Sequence, residues 1–120
     1  MEAANLRLEM TPTRAVGRLE EDLGLSTVEL AAALGISART LERWRAGETH
    51  PQREARVRLA ALVALDRRLY DTFDTPEAIR SWLRAGSPYL GGLTPVEVLR
   101  AGRPDRVEAA LEALDSGVFV

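Results

Sequence analysis

Five of the chain's six prolines, Pro12, Pro51, Pro76, Pro95 and Pro104, stand at the head of stretches with helical periodicity, and this placement limits the fold more than any other feature. Proline lacks an N–H and fixes φ at about −65°, so a helix accepts it in the first turn and rejects it in the interior. Thr11, Thr75 and Thr94 each precede one of these prolines and offer an N-cap hydroxyl. Gly24, Gly35, Gly47 and Gly102 supply stops,. No run of four or more residues shows the clean period-two alternation of a half-buried strand. The chain reads as all-α.

The apolar spacing fills in the elements. From Pro12, residues Ala15, Val16, Leu19 and Leu23 share one helical face that ends at Gly24,. Ser26 with Glu29 three residues on forms a capping box for a short helix through Leu34. Ser37 caps a third helix to about Arg45, with Leu41 and Trp44 on its inner face,. Pro51 is read as the start of a longer helix to about Tyr70. Its apolar positions, Leu59, Leu62, Val63, Leu65 and Leu69, are too many for one narrow stripe, so it is expected to meet two neighbours. Helices follow from Pro76, carrying Ile79, Trp82 and Leu83, from Pro95 to Gly102, and from Pro104, where Val107, Leu111 and Leu114 line one face. Residues Ser87 to Gly92 form a turn. The expected division is a flexible N-terminus over residues 1–10, one domain over 11–73 and a second over 74–120, with Asp74-Thr75-Pro76 as the boundary.

With 120 residues, 46% hydrophobic and 28% charged, the chain suits one compact unit. No cysteine is present, which removes disulfides, thiolate zinc sites and a Cys nucleophile. A single histidine, His50, cannot begin a zinc site alone. Gly91-Gly92 has neither a preceding strand nor a Walker lysine, and is a turn rather than a phosphate cradle. Glu20-Glu21-Asp22 and Glu108 with Glu112 read as solvated helix surface. With no candidate nucleophile and base, the chain is read as a non-enzyme with no cofactor. No apolar run approaches the ~20 residues of a membrane span, and Met1 to Met10 lacks signal-peptide character, so a cytoplasmic location away from the membrane is expected.

Charge is segregated along the chain. Between Arg39 and Arg58 six arginines face three acids, net +3, within a chain whose formal charge is −2. That basic island overlaps residues 27–46, which fit the steep helix crossing of a helix-turn-helix. Ala31 is small where the helices approach, Gly35 permits the positive φ of the turn, and Leu30, Leu34, Ile36, Leu41 and Trp44 are apolar pins. On the residues alone the same arginines also fit the solvated face of a structural bundle.

The element TVELAAALGISARTLERWRAG resembles the Xre/Cro type of repressor, over about residues 12–70. The resemblance implies a recognition helix at Ser37 to Arg45 in which Ser37, Ala38, Arg39, Thr40 and Arg43 face the major groove of operator DNA, while Arg45, Gln52 and Arg53 hold phosphates. Glu42 would repel phosphate unless it pairs with a cytosine amine or with Arg39 or Arg45.

A second pattern follows: Trp82-Leu83, Ser87-Pro88-Tyr89-Leu90-Gly91-Gly92-Leu93-Thr94-Pro95, Leu99, Gly102, Val107 and Gly117-Val118-Phe119-Val120. It resembles the toxin-binding domain of the Xre/MbcA/ParS antitoxins over about residues 76–120, departing from it at Ser87, Pro88 and Tyr89, where a polar residue such as asparagine is common. In that family the cognate toxin is a RES-domain enzyme that consumes NAD, and the antitoxin blocks its active site with its C-terminal end. The resemblance therefore implies a toxin-binding role for Gly117, Val118, Phe119 and Val120, with Trp82, Leu90, Leu93, Pro95 and Leu99 building a small core behind them. A terminal carboxylate entering a partner would need donors such as arginines in a nucleotide pocket. The residues alone leave open a tail that folds back on its own helices or across a two-fold axis. The overall expectation is an antitoxin that neutralises a RES-domain toxin, binds operator DNA and dimerises. The competing reading is a helix-turn-helix regulator whose C-terminal module only dimerises or senses a ligand.

Overall fold

A computed structural model describes residues 10–117. Among these, seven α-helices follow in order: α1 (Pro12–Leu23), α2 (Thr27–Leu34), α3 (Ala38–Arg45), α4 (Arg53–Phe73), α5 (Pro76–Leu83), α6 (Pro95–Arg100) and α7 (Pro104–Ser116), with a 3-10 turn at Pro88–Leu90. No strand occurs among the described residues, and none of the helices is long and apolar enough to cross a membrane.

The local signals act as the sequence implies. The Thr11 hydroxyl accepts from the Arg14 N–H at 3.3 Å and opens α1. Ser26 and Glu29 complete a reciprocal box, with Glu29 N–H donating to Ser26 Oγ at 3.1 Å and Ser26 N–H to Glu29 Oε1 at 3.0 Å,. Thr94 and Glu97 repeat it at α6, at 3.1 and 2.8 Å.

Helix α4 departs from expectation at both ends. Pro51 is buried ahead of it, and Gln52 keeps extended backbone at φ −75°, ψ 172°. The first helical residue is therefore Arg53. At the other end the helix runs past Tyr70 to Phe73, whose ring lies 5.5 Å from that of Trp82. That aromatic contact rewards the extra turn, and Asp74 stops it in the left-handed region at φ 69°, its N–H donating to the Tyr70 carbonyl.

One hydrophobic core runs through all seven helices, from Ala15 to Leu111. Leu59, Leu62, Val63, Leu65 and Leu69 are all buried, because α4 packs on α1 and α2 on one side and on α5 and α7 on the other. These five positions are covered by the chain's own helices and so no longer argue for a dimer, while Val57 near the start of α4 is 40% exposed. Cross-packing of α1 with α5 and of α2 with α6 closes the bundle. Two core assignments are corrected. Leu93, on the turn before α6, is 45% exposed, and Leu114, in the last turn of α7, is 39% exposed. Their residue types fit a core, but no described element buries either position.

Polar ties cross the same seam. Arg84, just past α5, grips Glu29 through two oxygens at 2.6 and 2.7 Å and donates to the Gly24 carbonyl at 2.8 Å. Arg80 donates to the Glu21 carbonyl at 3.0 Å. The Arg84 guanidinium holds the Glu29 carboxyl down to about 2. A carboxyl depressed in the folded state stabilises fully above its unfolded value and loses that contribution as pH falls through the folded one. Arg84→Ala is therefore expected to cost about 1 kcal/mol at neutral pH, with most of that difference gone near pH 2, as urea denaturation of both proteins across pH will show.

Candidate nucleic-acid face and toxin-binding module

Helices α2 and α3 meet at Gly35, whose φ of 73° is left-handed. A side chain there would also run into the guanidinium of Arg58, so the turn requires glycine. Leu30, Leu34, Leu41 and Trp44 are buried beneath it, and Ile36 packs partly against them. Thr13 Oγ1 donates to the Trp44 carbonyl at 3.1 Å, fastening the end of α3 to α1.

Burying Leu41 and Trp44 turns the remaining face of α3 outward. Arg39 and Arg43, one turn apart, are exposed,. Thr40 is half-buried beside them and accepts from the Ser37 hydroxyl at 3.0 Å, while Ser37 Oγ accepts from the Thr40 N–H. Gln52 and Arg53 are exposed at the start of α4, where unpaired N–H groups and the helix dipole favour an anion. Arg43 lies 3.7 Å from Glu48, an exposed and weak pairing,.

Arg45 has a different setting. Its guanidinium is half-buried, 2.6 Å from Glu42 and in direct contact with Glu20, with Thr27 Oγ1 at 3.5 Å. It braces α3 against α1 and α2, and two carboxylates already balance its charge. Glu42 is thereby accounted for as an ion-pair partner, one of the alternatives its sequence position left open. Glu20 is no idle surface acid, and neither is its neighbour Asp22.

Asp22 lies over Asp66, a carboxylate on α4 that is 1% exposed. Arg18 approaches both, at 3.4 Å from Asp22 and 3.7 Å from Asp66. Tyr70 Oη donates to Asp22 Oδ1 at 3.3 Å. Asp22 Oδ2 and Asp66 Oδ1 have no hydrogen-bond partner among the described residues. Burial, then the neighbouring Asp22, push the Asp66 carboxyl far above the ordinary carboxylate range,. The pair is invisible in sequence, since 44 positions separate its members and no spacing rule links them.

In the C-terminal module Ile79, Leu83, Leu90, Pro95, Val96, Val98, Leu99, Val107 and Leu111 are buried, and Trp82 packs partly against them. Helix α7 is pinned to α4 by Arg68, which lies 2.6 Å from Asp115 and 3.2 Å from Glu112, and by Thr72, which donates to Asp115 at 2.9 Å. The Arg68 guanidinium holds the Asp115 carboxyl below its usual range. Glu112, read from sequence as solvated surface, has this structural partner. Gly117 caps α7 in the left-handed region at φ 67°. Val118, Phe119 and Val120 lie outside the described residues.

Known proteins match this arrangement over most of its length. Residues 2–53 match the antitoxin Xre-like helix-turn-helix domain, and residues 68–117 match the antitoxin Xre/MbcA/ParS C-terminal toxin-binding domain. A probable mycobacterial cidal antitoxin of Mycobacterium tuberculosis, Rv3188, is 35% identical over 98 residues, covering 81% of this chain and 82% of its own. The chain belongs to the Xre/MbcA/ParS antitoxin family. The mycobacterial cidal antitoxin MbcA of Mycobacterium bovis is 32% identical to this antitoxin over 100 residues, covering 83% of it and 88% of MbcA. A chain in the crystal structure of the M. tuberculosis MbcT–MbcA toxin–antitoxin complex superposes with a TM-score of 0.67 at 30% identity, over 90% of this antitoxin and 96% of that chain.

The acid pair gives this antitoxin a testable pH signature. A carboxyl raised in the folded state binds its proton more tightly folded than unfolded, so its contribution falls as pH rises from the unfolded value through the folded one. Asp66→Asn keeps the shape and cannot ionise. It is expected to be more stable than the parent by about 1 kcal/mol near pH 8, with the gap closing toward pH 4, measured by thermal and urea unfolding.

Proposed function

We propose that this antitoxin neutralises a RES-domain, NAD-consuming toxin by placing Gly117, Val118, Phe119 and Val120 in the toxin's active site, and represses its own operon through α3. Residues 11–73 would serve the operator and residues 74–120 the toxin. The antitoxin would act stoichiometrically, in the cytoplasm, and bind DNA as a homodimer on half-sites about 34 Å apart. The observation that carries the toxin half is α7 itself, a helix matching the toxin-binding domain, clamped at its last turn by Arg68 and Thr72 and ending at Gly117. A clamped helix presents the next residues from a fixed origin, which lowers the entropy lost when they enter a cleft. Burial of one Phe and two Val side chains there would contribute several kcal/mol at about 25 cal/mol per Å².

The DNA half is supported by the outward Arg39 and Arg43, with Ser37 and Thr40 on the same turn and Gln52 and Arg53 at the α4 N-terminus. Arg45 enters this reading as the brace that sets the angle of α3, its charge being engaged inside the chain.

Co-expression with the product of the adjacent reading frame tests the first half. The intact chain is expected to preserve cellular NAD, and a chain truncated after Ser116 is expected to co-purify with the toxin yet let NAD fall. Preserved NAD with the truncated chain would defeat the plug. For the second half, Arg39→Ala or Arg43→Ala is expected to weaken operator binding by about 1–3 kcal/mol each, whereas Arg53→Ala should lower the salt slope by about one. Unchanged operator affinity in both α3 variants would defeat the groove assignment.

A further inference from the structure

Two acids face one half-exposed guanidinium in the seam between α1 and α4. Arg18 and Asp22 enter it from α1, one turn apart, and Asp66 and Tyr70 from α4. The two carboxyls lie within hydrogen-bond reach of each other. Arg18 stands 3.4 Å from Asp22 and 3.7 Å from Asp66, but more than half of its side chain is in water, whereas that of Asp66 is almost wholly out of it. Arg67 on α4 also acts on Asp66, from an exposed position where solvent screens its charge. Two ionised carboxylates in this seam would therefore repel each other with too little cation to balance them.

Hydrogen bonding gives the same answer independently. Asp22 Oδ2 and Asp66 Oδ1 are buried without a donor among the described residues, and ionised carboxylates bring only acceptors. A proton on Asp66 cancels one charge and creates an O–H that Asp22 can accept, leaving one negative charge between Arg18 and the Tyr70 hydroxyl. Over the outside of the seam runs an open groove of about 500 Å³, lined by Arg14, Gly17, Arg18, Glu21, Asp22 and Tyr70. It brings water to the outer side of the pair, where the proton can leave.

The same end of α1 holds much of the rest in place. Glu20 contacts Arg45 of α3, the Glu21 carbonyl accepts from Arg80 of α5, and the Gly24 carbonyl accepts from Arg84. We propose that Asp22 and Asp66 form a proton-operated latch, in which one shared proton holds the end of α1 on α4 and its release lets that end lift with α3 attached. Burial, and then Asp22, push the Asp66 carboxyl up to about 8, so the latch opens in mild alkali. It does so whether or not α3 reads DNA or the chain meets a toxin.

The test is NMR titration of the full chain with ¹³C-labelled Asp carboxyls and Trp indoles. The Asp66 carbon is expected to remain that of a protonated acid through neutral pH and to change near pH 8, with the Asp22 carbon and the Trp44 indole of α3 moving in the same step. In Asp66→Asn, whose amide donates to Asp22 as the acid does, Asp22 and Trp44 should stay still over that range. In Asp22→Asn the amide donates to Asp66 instead, and the step near pH 8 should vanish. Amide hydrogen exchange supplies the size of the effect. An opening that parts the pair releases the proton, so exchange at the end of α1, corrected for its intrinsic pH dependence, should quicken by up to about tenfold per pH unit between pH 5 and 8 in the parent and in neither Asn variant. An Asp66 carboxyl already ionised at pH 6 overturns the shared proton. A step near pH 8 that leaves Trp44 and the end of α1 unmoved overturns the latch.

Discussion

A long helix with apolar residues on two sides cannot be left half covered, and α4 imposes that condition on everything else. Leu59 and Val63 need neighbours as much as Leu62, Leu65 and Leu69 do, and all five are buried. The helix-turn-helix supplies cover through α1 and α2, and the C-terminal module supplies it through α5 and α7. Each half therefore completes the other's core, at about 1.5–3 kcal/mol for every large aliphatic side chain removed from water.

Arginine does the remaining joining. Arg80 and Arg84 tie α5 to the α1–α2 junction, Arg68 ties α4 to α7, and Arg45 ties α3 to α1. The planar fork suits these roles, because it grips a carboxylate through two oxygens, as Arg84 does with Glu29, while its stem lies along apolar surface. Arginines thus divide into those that grip carboxylates or backbone carbonyls of the chain and those, such as Arg39 and Arg53, that face outward.

Much of this was legible in the sequence, and what was hidden has a common cause. Caps and stops are local: Thr11, Ser26, Ser37, Thr75 and Thr94 act on backbone N–H groups three residues away, so reading along the chain finds them. Periodicity also tells which face of α3 is buried, and hence that Arg39 and Arg43 point out. It does not tell which element lies opposite. Arg45 with Glu20, Arg84 with Glu29 and Tyr70 with Asp22 join positions 25 to 55 apart, and the same ignorance made Leu93 and Leu114 look like core. The start of α4 was misplaced for a local reason, since Pro51 is as comfortable in the extended lead-in to a helix as in its first turn.

The shared core also bears on how such a protein comes apart. Elements that share one hydrophobic cluster tend to open as one cooperative unit. Opening that cluster breaches α4's packing, and with it both the outward face of α3 and the seat of α7. A single unfolding event would then undo both faces together, and the persistence of each is set by the stability of the whole.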